Sequence, residues 1–412
     1  MLKVNHISFS SSEGGAAIAA RRLHLALRAS DVNSAMTVAG GQPGPGIQIF
    51  ERRRTPCRIV EREYARHLRR KHEAQAAGLL SLAMVQSGLG RHLNGQSRQV
   101  LNLHWVNSDF MSIPEIGGLS HPVVWTMHDM WPFCGTEHYT EGHGWQDGYQ
   151  AAKPGTIEAL NLRVWKNKRK FWKRPFHIVA PSRWLADCAR ESALMRNWPT
   201  TVIPNAIDTE TWRPASRAEA RARLGLPADV EVVGFGAMGG GDDPRKGFRY
   251  LQEALSILRE TRPDVRALVF GADAHDADLP FPVYIAGKLA DPEDLRMTYA
   301  CADVFALPSR QDNLPNTGVE ALSCGIPIAG FQIGGLPDLI PNSQCGRLAK
   351  PFNARELAQC IDAVLEHQIA HRDQSITPMG AAAREHAVRS YAFPVVARQY
   401  AALYEKISQA QP

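Results

Sequence analysis

Short apolar runs rich in β-branched residues alternate with longer stretches of helical spacing along the whole chain. In the first half the runs fall at 3–9, 34–39, 100–106, 122–127, 177–180 and 201–204. In the second half they fall at 230–235, 265–270, 282–286, 303–307 and 325–331. Such runs, separated by helical periodicity, predict strands joined by crossover helices, hence parallel sheets covered on both faces. Two such series predict an α/β chain of two doubly wound domains. The break is expected within 205–227, where turn residues precede a short basic helix that ends at Gly225–Pro227. The tail has helical spacing over 379–407, with Val388, Tyr391, Val395, Val396, Tyr400 and Leu403 at the apolar positions.

Composition agrees with this picture and narrows it. The chain has 412 residues, 44% hydrophobic and 21% charged, which suits a globular protein with two packed cores. No apolar run is long enough for a spanning helix. The first residues, MLKVNHISFSSSEGG, lack the basic and apolar regions of a signal peptide. Seven cysteines are scattered without a CxxC pair, which predicts a reducing cytosol and neither a disulfide framework nor a cysteine zinc site. The formal net charge is +6, which fits an acidic partner.

In open α/β sheets ligands bind beyond the C-terminal ends of the strands, so the segments that follow each strand are the candidate chemistry. The first is SSSEGG at 10–15, where Gly14 and Gly15 open a helix. Small residues there let a phosphate reach helix-start amides, although the turn could equally be a plain strand–helix connection. It is not a GxGxxG fingerprint. The second is VVWTMHDMWP at 123–132. His128 stands just past a strand, where an imidazole can orient a hydroxyl, and Asp129 fits a cap.

The third segment, GAMGGGDDPRKGFRYL, places Arg245 and Lys246 at a helix start after a glycine-rich loop. Two cations there suit a diphosphate. The adjacent Asp242 and Asp243 read as turn residues, and a diphosphate so held needs no metal. The fourth, DVFALPSRQDNLPNTGVEAL at 303–322, carries Asp312 in a loop and Glu320 in the first turn of a helix that opens near Asn316 and Thr317. The backbone amides of Asn316, Thr317, Gly318 and Val319 would meet an anion. Both carboxylates suit vicinal sugar hydroxyls. However, Thr317-Gly-Val-Glu320 also fits a capping box, and spacing does not choose between these readings. Gly334–Gly335 marks a fifth turn.

These residues resemble family 4 retaining glycosyltransferases. The match covers most of the chain, and its strongest pieces are VIPNAIDTETWRP at 202–214, DPRKG at 243–247 and PSRQDNLPNTGVEALSCGIPIAGFQIGGLPDLI at 308–340. Segments 101–106 and 125–132 point to a subgroup serving bacterial exopolysaccharide, O-antigen or colanic-acid-type assembly. The resemblance implies a GT-B fold: an acceptor-side domain at 1–208, a donor-binding domain at 209–387, the two facing a cleft, and a helix at 388–412 that crosses back to the first domain. It implies that Lys246 grips the donor diphosphate, Glu320 the ribose and Asp312 the transferred sugar. Gly14 and Gly15 approach the diphosphate, and His128 lies by the sugar and acceptor. The implied substrates are a nucleotide-diphospho-sugar and a lipid-linked or oligosaccharide acceptor, with no cofactor and no metal.

The sequence departs from the family pattern in three places. Asp312 stands where the usual motif has Glu. Ala237 stands where the second domain's leading loop usually has Arg, a charge that Arg245 is expected to supply. Only Cys134 remains of a cysteine group that often follows the WPF segment. The Ala237 change keeps open a nucleotide-sugar-binding protein without transfer activity. A GT-B epimerase is a further alternative, although no extra acid–base groups can be picked out for it.

Two segments concentrate positive charge. Residues 52–71 hold nine Lys or Arg against two acids, including Arg69 and Arg70. Residues 162–174 hold seven and no acid, with Lys168, Arg169 and Lys170 beside Trp165, Phe171 and Trp172. Basic–aromatic interleaving on a helix predicts peripheral binding to an anionic membrane. A solvated helix face or a single-stranded nucleic-acid surface shares the pattern. The reading adopted is a cytoplasmic enzyme on the inner face of the bacterial membrane, with no nucleic-acid partner.

Overall fold

The computed structural model describes residues 2–51, 56–73, 78–236, 243–271 and 282–410. The chain divides into two compact units, Met1–Pro204 with Val396–Pro412, and Asn205–Val395.

The described residues of the first unit form a parallel sheet of β1 (Lys3–Ser10), β2 (Asn33–Gly40), β3 (Ile47–Ile49), β4 (Val100–Leu103), β5 (Val123–Thr126), β6 (His177–Ala180) and β7 (Thr200–Val202), in the order β3-β2-β1-β4-β5-β6-β7. Those of the second form β8 (Val232–Gly236), β9 (Arg266–Phe270), β10 (Val283–Gly287), β11 (Val304–Leu307), β12 (Ile328–Phe331) and β13 (Gly346–Ala349), in the order β10-β9-β8-β11-β12-β13. Every paired strand is parallel. The two sheets are the Rossmann-like sheets of a GT-B fold.

The apolar runs are continuous because both faces of each sheet are covered. In β11, Val304 and Ala306 enter one core with the helices Phe248–Leu258 and Ala354–Ala370. Phe305 and Leu307 enter the opposite core with the helix Asn316–Ser323, as the two-residue period of a strand requires. Burying such a side chain contributes roughly 1.5–3 kcal/mol.

The short basic helix is Arg217–Leu224, capped by Ser216, whose side chain accepts from the Glu219 amide, and stopped by Gly225 at φ 67°. Below it Asp303 forms a buried hub. Its carboxylate takes Arg221 Nη2 at 2.8 Å, the Val232 amide at 2.8 Å and Arg217 Nη1 at 3.1 Å.

The helical tail differs from the sequence expectation. It is two helices, Pro378–Tyr391 and Phe393–Ala410, interrupted at Ala392, which bridges to Ile207. Pro394 has no N–H to continue the first helix. From Val396 onward the second helix belongs to the first unit, where Tyr400 Oη lies 3.0 Å from Thr126 Oγ1.

Candidate active site

In the second unit, three loops meet beyond the C-terminal ends of β8, β11 and β12. Pro244–Lys246 is a single 3-10 turn capped by Asp243. Gly247 follows at φ 69°, and a Cβ there would lie 1.9 Å from the Pro308 carbonyl oxygen. Only glycine therefore lets this turn seat against the loop after β11, and the Arg310 amide donates back to the Arg245 carbonyl at 2.7 Å. On the other side, Gly334 takes φ 57°, where a Cβ would lie 2.1 Å from the Asp312 carbonyl oxygen. The Gly335 amide donates to that oxygen at 3.0 Å. The fifth turn thus clamps the backbone of Asp312.

The clamp brings Lys246 and Asp312 together, with Lys246 Nζ 2.6 Å from Asp312 Oδ2. Asp312 Oδ1 accepts from the Asn313 amide at 3.1 Å. Arg245 Nη2 pairs with Asp243 Oδ2 at 2.5 Å, so its charge has a carboxylate partner within its own turn. Ala237 and Asp242 lie outside the described residues.

Glu320 is buried, and Tyr299 Oη donates to its Oε2 at 2.8 Å. The capping-box reading fails. The helix begins at Asn316 with Pro315 as its cap residue and no side-chain cap bond. Glu320 therefore lies in the second turn rather than the first, and its carboxylate is held from beneath by Tyr299. The amides of Gly318 and Val319 donate to the Pro315 carbonyl at 3.0 and 3.2 Å. That corrects the reading of four helix-start amides aimed at an anion, since these two are taken up inside the helix. Gly318 has a packing reason instead: a Cβ would lie 2.6 Å from Leu339 Cδ1. Asn316 Oδ1 accepts from Asn205 Nδ2 at 3.3 Å, and Thr317 is the next residue of the same turn.

In the first unit, Gly14 caps the helix Gly15–Ala29 at φ 92°, a conformation that favours glycine. Ser10 Oγ accepts from the amides of Ser12 and Glu13 at 3.2 and 3.0 Å, which fixes the approach to that helix. His128 follows β5. Its Nε2 lies 3.0 Å from His104 Nδ1, and His104 Nε2 lies 2.9 Å from His6 Nδ1. Burial holds His6 and His104 well below the usual imidazole range, and pulls His128 down to about 4. Asp129 is a turn cap, taking the Trp131 amide at 3.0 Å, and its other oxygen takes His138 Nδ1 at 2.5 Å and Trp105 Nε1 at 3.1 Å. Burial alone raises this carboxyl, but His138 and the Trp131 amide outweigh it, and the net shift is downward. Ser81 Oγ completes the cluster at 2.7 Å from His138 Nε2.

The surface reading of the basic–aromatic helix needs correction. The helix Ile157–Phe171 carries Lys168 fully buried, with Nζ donating to the carbonyls of Trp131, Cys134 at 3.0 Å and Gly135 at 2.9 Å. The ammonium also sits 3.7 Å from the Trp131 ring centroid, and burial pulls it down to about 7. Trp172 is buried too, and its indole donates to the Ile113 carbonyl at 2.9 Å. These two residues are core. Arg169 and Lys170, and Arg69 and Arg70 on the helix Pro56–Glu73, remain exposed. Arg163 Nη1 meets Tyr64 Oη at 3.2 Å between these helices. Among the described residues no helix is long and apolar enough to cross a membrane. Cys134, Cys188, Cys301, Cys324, Cys345 and Cys360 are free thiols.

Sequence reasoning missed Tyr299, Asn102, His104 and His6. Their signal was weak: a buried tyrosine in a helix, and single polar residues in or just after short strands.

Two family models match this chain. Glycosyltransferase Family 4 matches residues 14–211, and Glycosyl transferases group 1 matches residues 230–367. The chain is 31% identical over 206 residues to a D-inositol 3-phosphate glycosyltransferase of Saccharomonospora viridis, covering 46% of each chain. It is 30% identical over 187 residues to the sulfoquinovosyl transferase SQD2 of Arabidopsis thaliana, covering 43% of this chain and 34% of that one. The chain thus spans less than half the length of these curated relatives. Among solved structures, HepE of Anabaena in complex with UDP and glucose superposes with TM-score 0.68 at 18% identity, covering 98% of this chain and 100% of that chain. Sucrose-phosphate synthase from Thermosynechococcus elongatus gives 0.66 at 19% identity, covering 100% of both. The solved structures establish the GT-B fold, and the family models with the curated relatives support a GT-B glycosyltransferase.

Proposed function

We propose that the protein is a retaining hexosyltransferase that moves a sugar from a nucleotide-diphospho-sugar to a saccharide acceptor. The observation that carries this reading is the Lys246–Asp312 pair beyond β8 and β11, followed on the next helix by Glu320, whose carboxylate Tyr299 anchors. One cation and two carboxylates so placed suit a diphosphate, a sugar and a ribose. Lys246, helped by Arg245, stabilises the charge that develops on the leaving diphosphate. Asp312 accepts hydrogen bonds from the transferred sugar, and Glu320 from the ribose hydroxyls. In this reading the amides of Asn316 and Thr317 meet the diphosphate, and the helix start at Gly14 and Gly15 is the first unit's phosphate-binding candidate.

Transfer proceeds on one face of the sugar. The bond from the anomeric carbon to the diphosphate oxygen breaks, and a bond to the acceptor oxygen forms on the same side. The departing diphosphate oxygen takes the acceptor's proton. His128 orients the sugar and acceptor, and no cofactor or metal enters. That UDP, glucose and UDP-glucose occupy HepE supports a uridine nucleotide as the first donor to test.

The acceptor reading is a lipid-linked or oligosaccharide chain in bacterial surface polysaccharide assembly. The exposed Arg69, Arg70, Arg169 and Lys170, with exposed Ile59, Val60 and Tyr64, support docking on an anionic membrane at its cytoplasmic face. A thermal-shift panel of nucleotide-sugars, followed by turnover on the best binder, tests the assignment. Stabilisation by one nucleotide-sugar family that is lost in Glu320→Ala supports it. No stabilisation by any of them rejects it.

A further inference from the structure

A continuous line of buried hydrogen bonds runs from the last helix to His128, all within the first unit. Tyr400 Oη lies 3.0 Å from Thr126 Oγ1, and Thr126 Oγ1 lies 3.1 Å from Asn102 Oδ1. Asn102 Nδ2 lies 3.1 Å from His104 Nε2, and His104 Nδ1 lies 3.0 Å from His128 Nε2. His6 joins from the side, with Nδ1 2.9 Å from His104 Nε2.

Each hydroxyl, amide and neutral imidazole in such a line both gives and takes a proton, so the line can be polarised in only two senses. In one sense protons point from Tyr400 toward His128. Tyr400 donates to Thr126, Thr126 to Asn102 Oδ1, Asn102 Nδ2 to His104 Nε2, and His104 Nδ1–H to His128 Nε2. The other sense requires the Asn102 amide to turn over, so that Nδ2 donates to Thr126 and Oδ1 accepts from His104 Nε2–H, and the remaining steps reverse with it.

The ends decide between them. Among the described residues His6 Nε2 is buried without a hydrogen-bond partner, and Thr126 is the partner that Tyr400 Oη has. Reversal places a proton on His6 Nε2 and turns the Tyr400 hydroxyl proton away from Thr126, which strands two buried donors. Among the members of the line, the forward sense strands one lone pair, at His6 Nε2. Orphaned buried donors are the rarer and costlier case.

We propose that Asn102, Thr126 and Tyr400 are positioning residues that fix His128 as an imidazole protonated on Nδ1, a hydrogen-bond donor toward sugar or acceptor rather than a base. The idea rests on the role of His128 in the proposed function. It extends that role by assigning the ring's tautomer and the residues that set it. The neutral state is supported by burial, which outweighs the neighbouring Asp129 carboxylate, the one group that raises the ring's proton affinity. The buried neighbours His104 and His6 are held neutral by the same burial. A donor at His128 agrees with a same-face transfer in which the leaving group, not the protein, accepts the proton.

Nitrogen-15 NMR of histidine-labelled full-length protein tests this without reference to activity. The wild type should show His128 as the Nδ1–H tautomer. Asn102→Asp replaces the amide donor by a carboxylate that only accepts, which draws a proton onto His104 Nε2; where His104 stays neutral its Nδ1 is then bare and His128 should switch to Nε2–H. Turnover should then fall about 100-fold with the donor KM little changed, as expected for loss of a contact made in the transition state. Tyr400→Phe, a milder change at the far end, should leave a mixture of tautomers and a partial loss. An Nε2–H tautomer in the wild type overturns the proposal, as does an unchanged His128 tautomer in folded Asn102→Asp with His104 neutral, or, where the carboxylate charges His104, an unchanged tautomer in folded Tyr400→Phe. A switched tautomer with unchanged turnover upholds the line but rejects His128 as a participant in transfer.

Discussion

Lys246 Nζ and Asp312 Oδ2 lie 2.6 Å apart, which joins the first basic loop of the second unit to the carboxylate loop after β11. In the proposed function these two residues serve different parts of one donor, so a diphosphate must draw Lys246 away from Asp312. Lys246→Ala should lower kcat/KM about 10²- to 10³-fold, the scale for removing one preorganised charge from a leaving group. Asp312→Asn should lower transfer yet tighten UDP binding severalfold, because Lys246 no longer leaves a carboxylate. Calorimetric titration with UDP checks the second outcome, and weaker UDP binding in Asp312→Asn counts against the competition.

Tyr299 supports Glu320 from below at 2.8 Å and packs against Trp212, Phe270 and Phe305. Tyr299→Phe keeps that packing and removes one hydrogen bond to a charged group, worth roughly 1.5–3 kcal/mol. The donor KM should rise about 10-fold or more with kcat nearly unchanged. Steady-state kinetics decides, and an unchanged KM would show that the tyrosine does not set the carboxylate's position.

Acid should unfold the first unit early. His6, His104 and His128 are neutral in the native state because burial lowers each of them, His128 to about 4. The unfolded chain takes up these protons below about pH 6.5. It then binds more protons than the native state, so stability falls as pH falls from that point toward the folded values. These three contribute about 4 kcal/mol per pH unit where all are charged only when unfolded, beside His24 and His177, which burial also lowers. Urea midpoints measured across this range should show the steep loss, and His104→Gln should reduce the slope by about 1.4 kcal/mol per pH unit.

Lys168 and its neighbours should separate core from surface. Lys168→Met leaves three carbonyls without their donor and removes the charge over Trp131. Leaving buried polar groups unsatisfied costs about 1–3 kcal/mol each, so a lowered melting temperature is expected. Arg169→Glu with Lys170→Glu touches exposed positions and should leave melting nearly unchanged. It should weaken salt-sensitive sedimentation with anionic liposomes, whereas equal sedimentation would remove this face from the membrane proposal.

The fold was legible wherever a strand is buried on both faces, because such strands are uninterrupted apolar runs. The two missed strands are edge pieces. Ile47–Ile49 is largely exposed, and Gly346–Ala349 carries an arginine among four residues. Lys246 and Asp312 stand out in sequence as polar residues of loops that follow apolar runs, whereas for Glu320 the spacing left a capping box open and the family resemblance supplied the alternative. What a local reading could not provide was long-range partnership. Lys168 reads as a surface cation because the carbonyls that hold it lie 33 to 37 residues earlier. The capping box at Thr317–Glu320 misled because Pro315, not Thr317, starts the helix. The line from Tyr400 to Thr126 spans 274 residues, and no window of sequence contains both ends.

The account depends most on stereochemically defined sugar transfer by the Lys246, Asp312 and Glu320 site. Its most direct test is proton NMR of the product formed from the best-bound nucleotide-sugar, with the wild type and Glu320→Ala in parallel. The product should keep the donor's anomeric configuration, and the rate should be lower by about 10²-fold or more in folded Glu320→Ala. An inverted product, or equal rates in the two proteins, would contradict it.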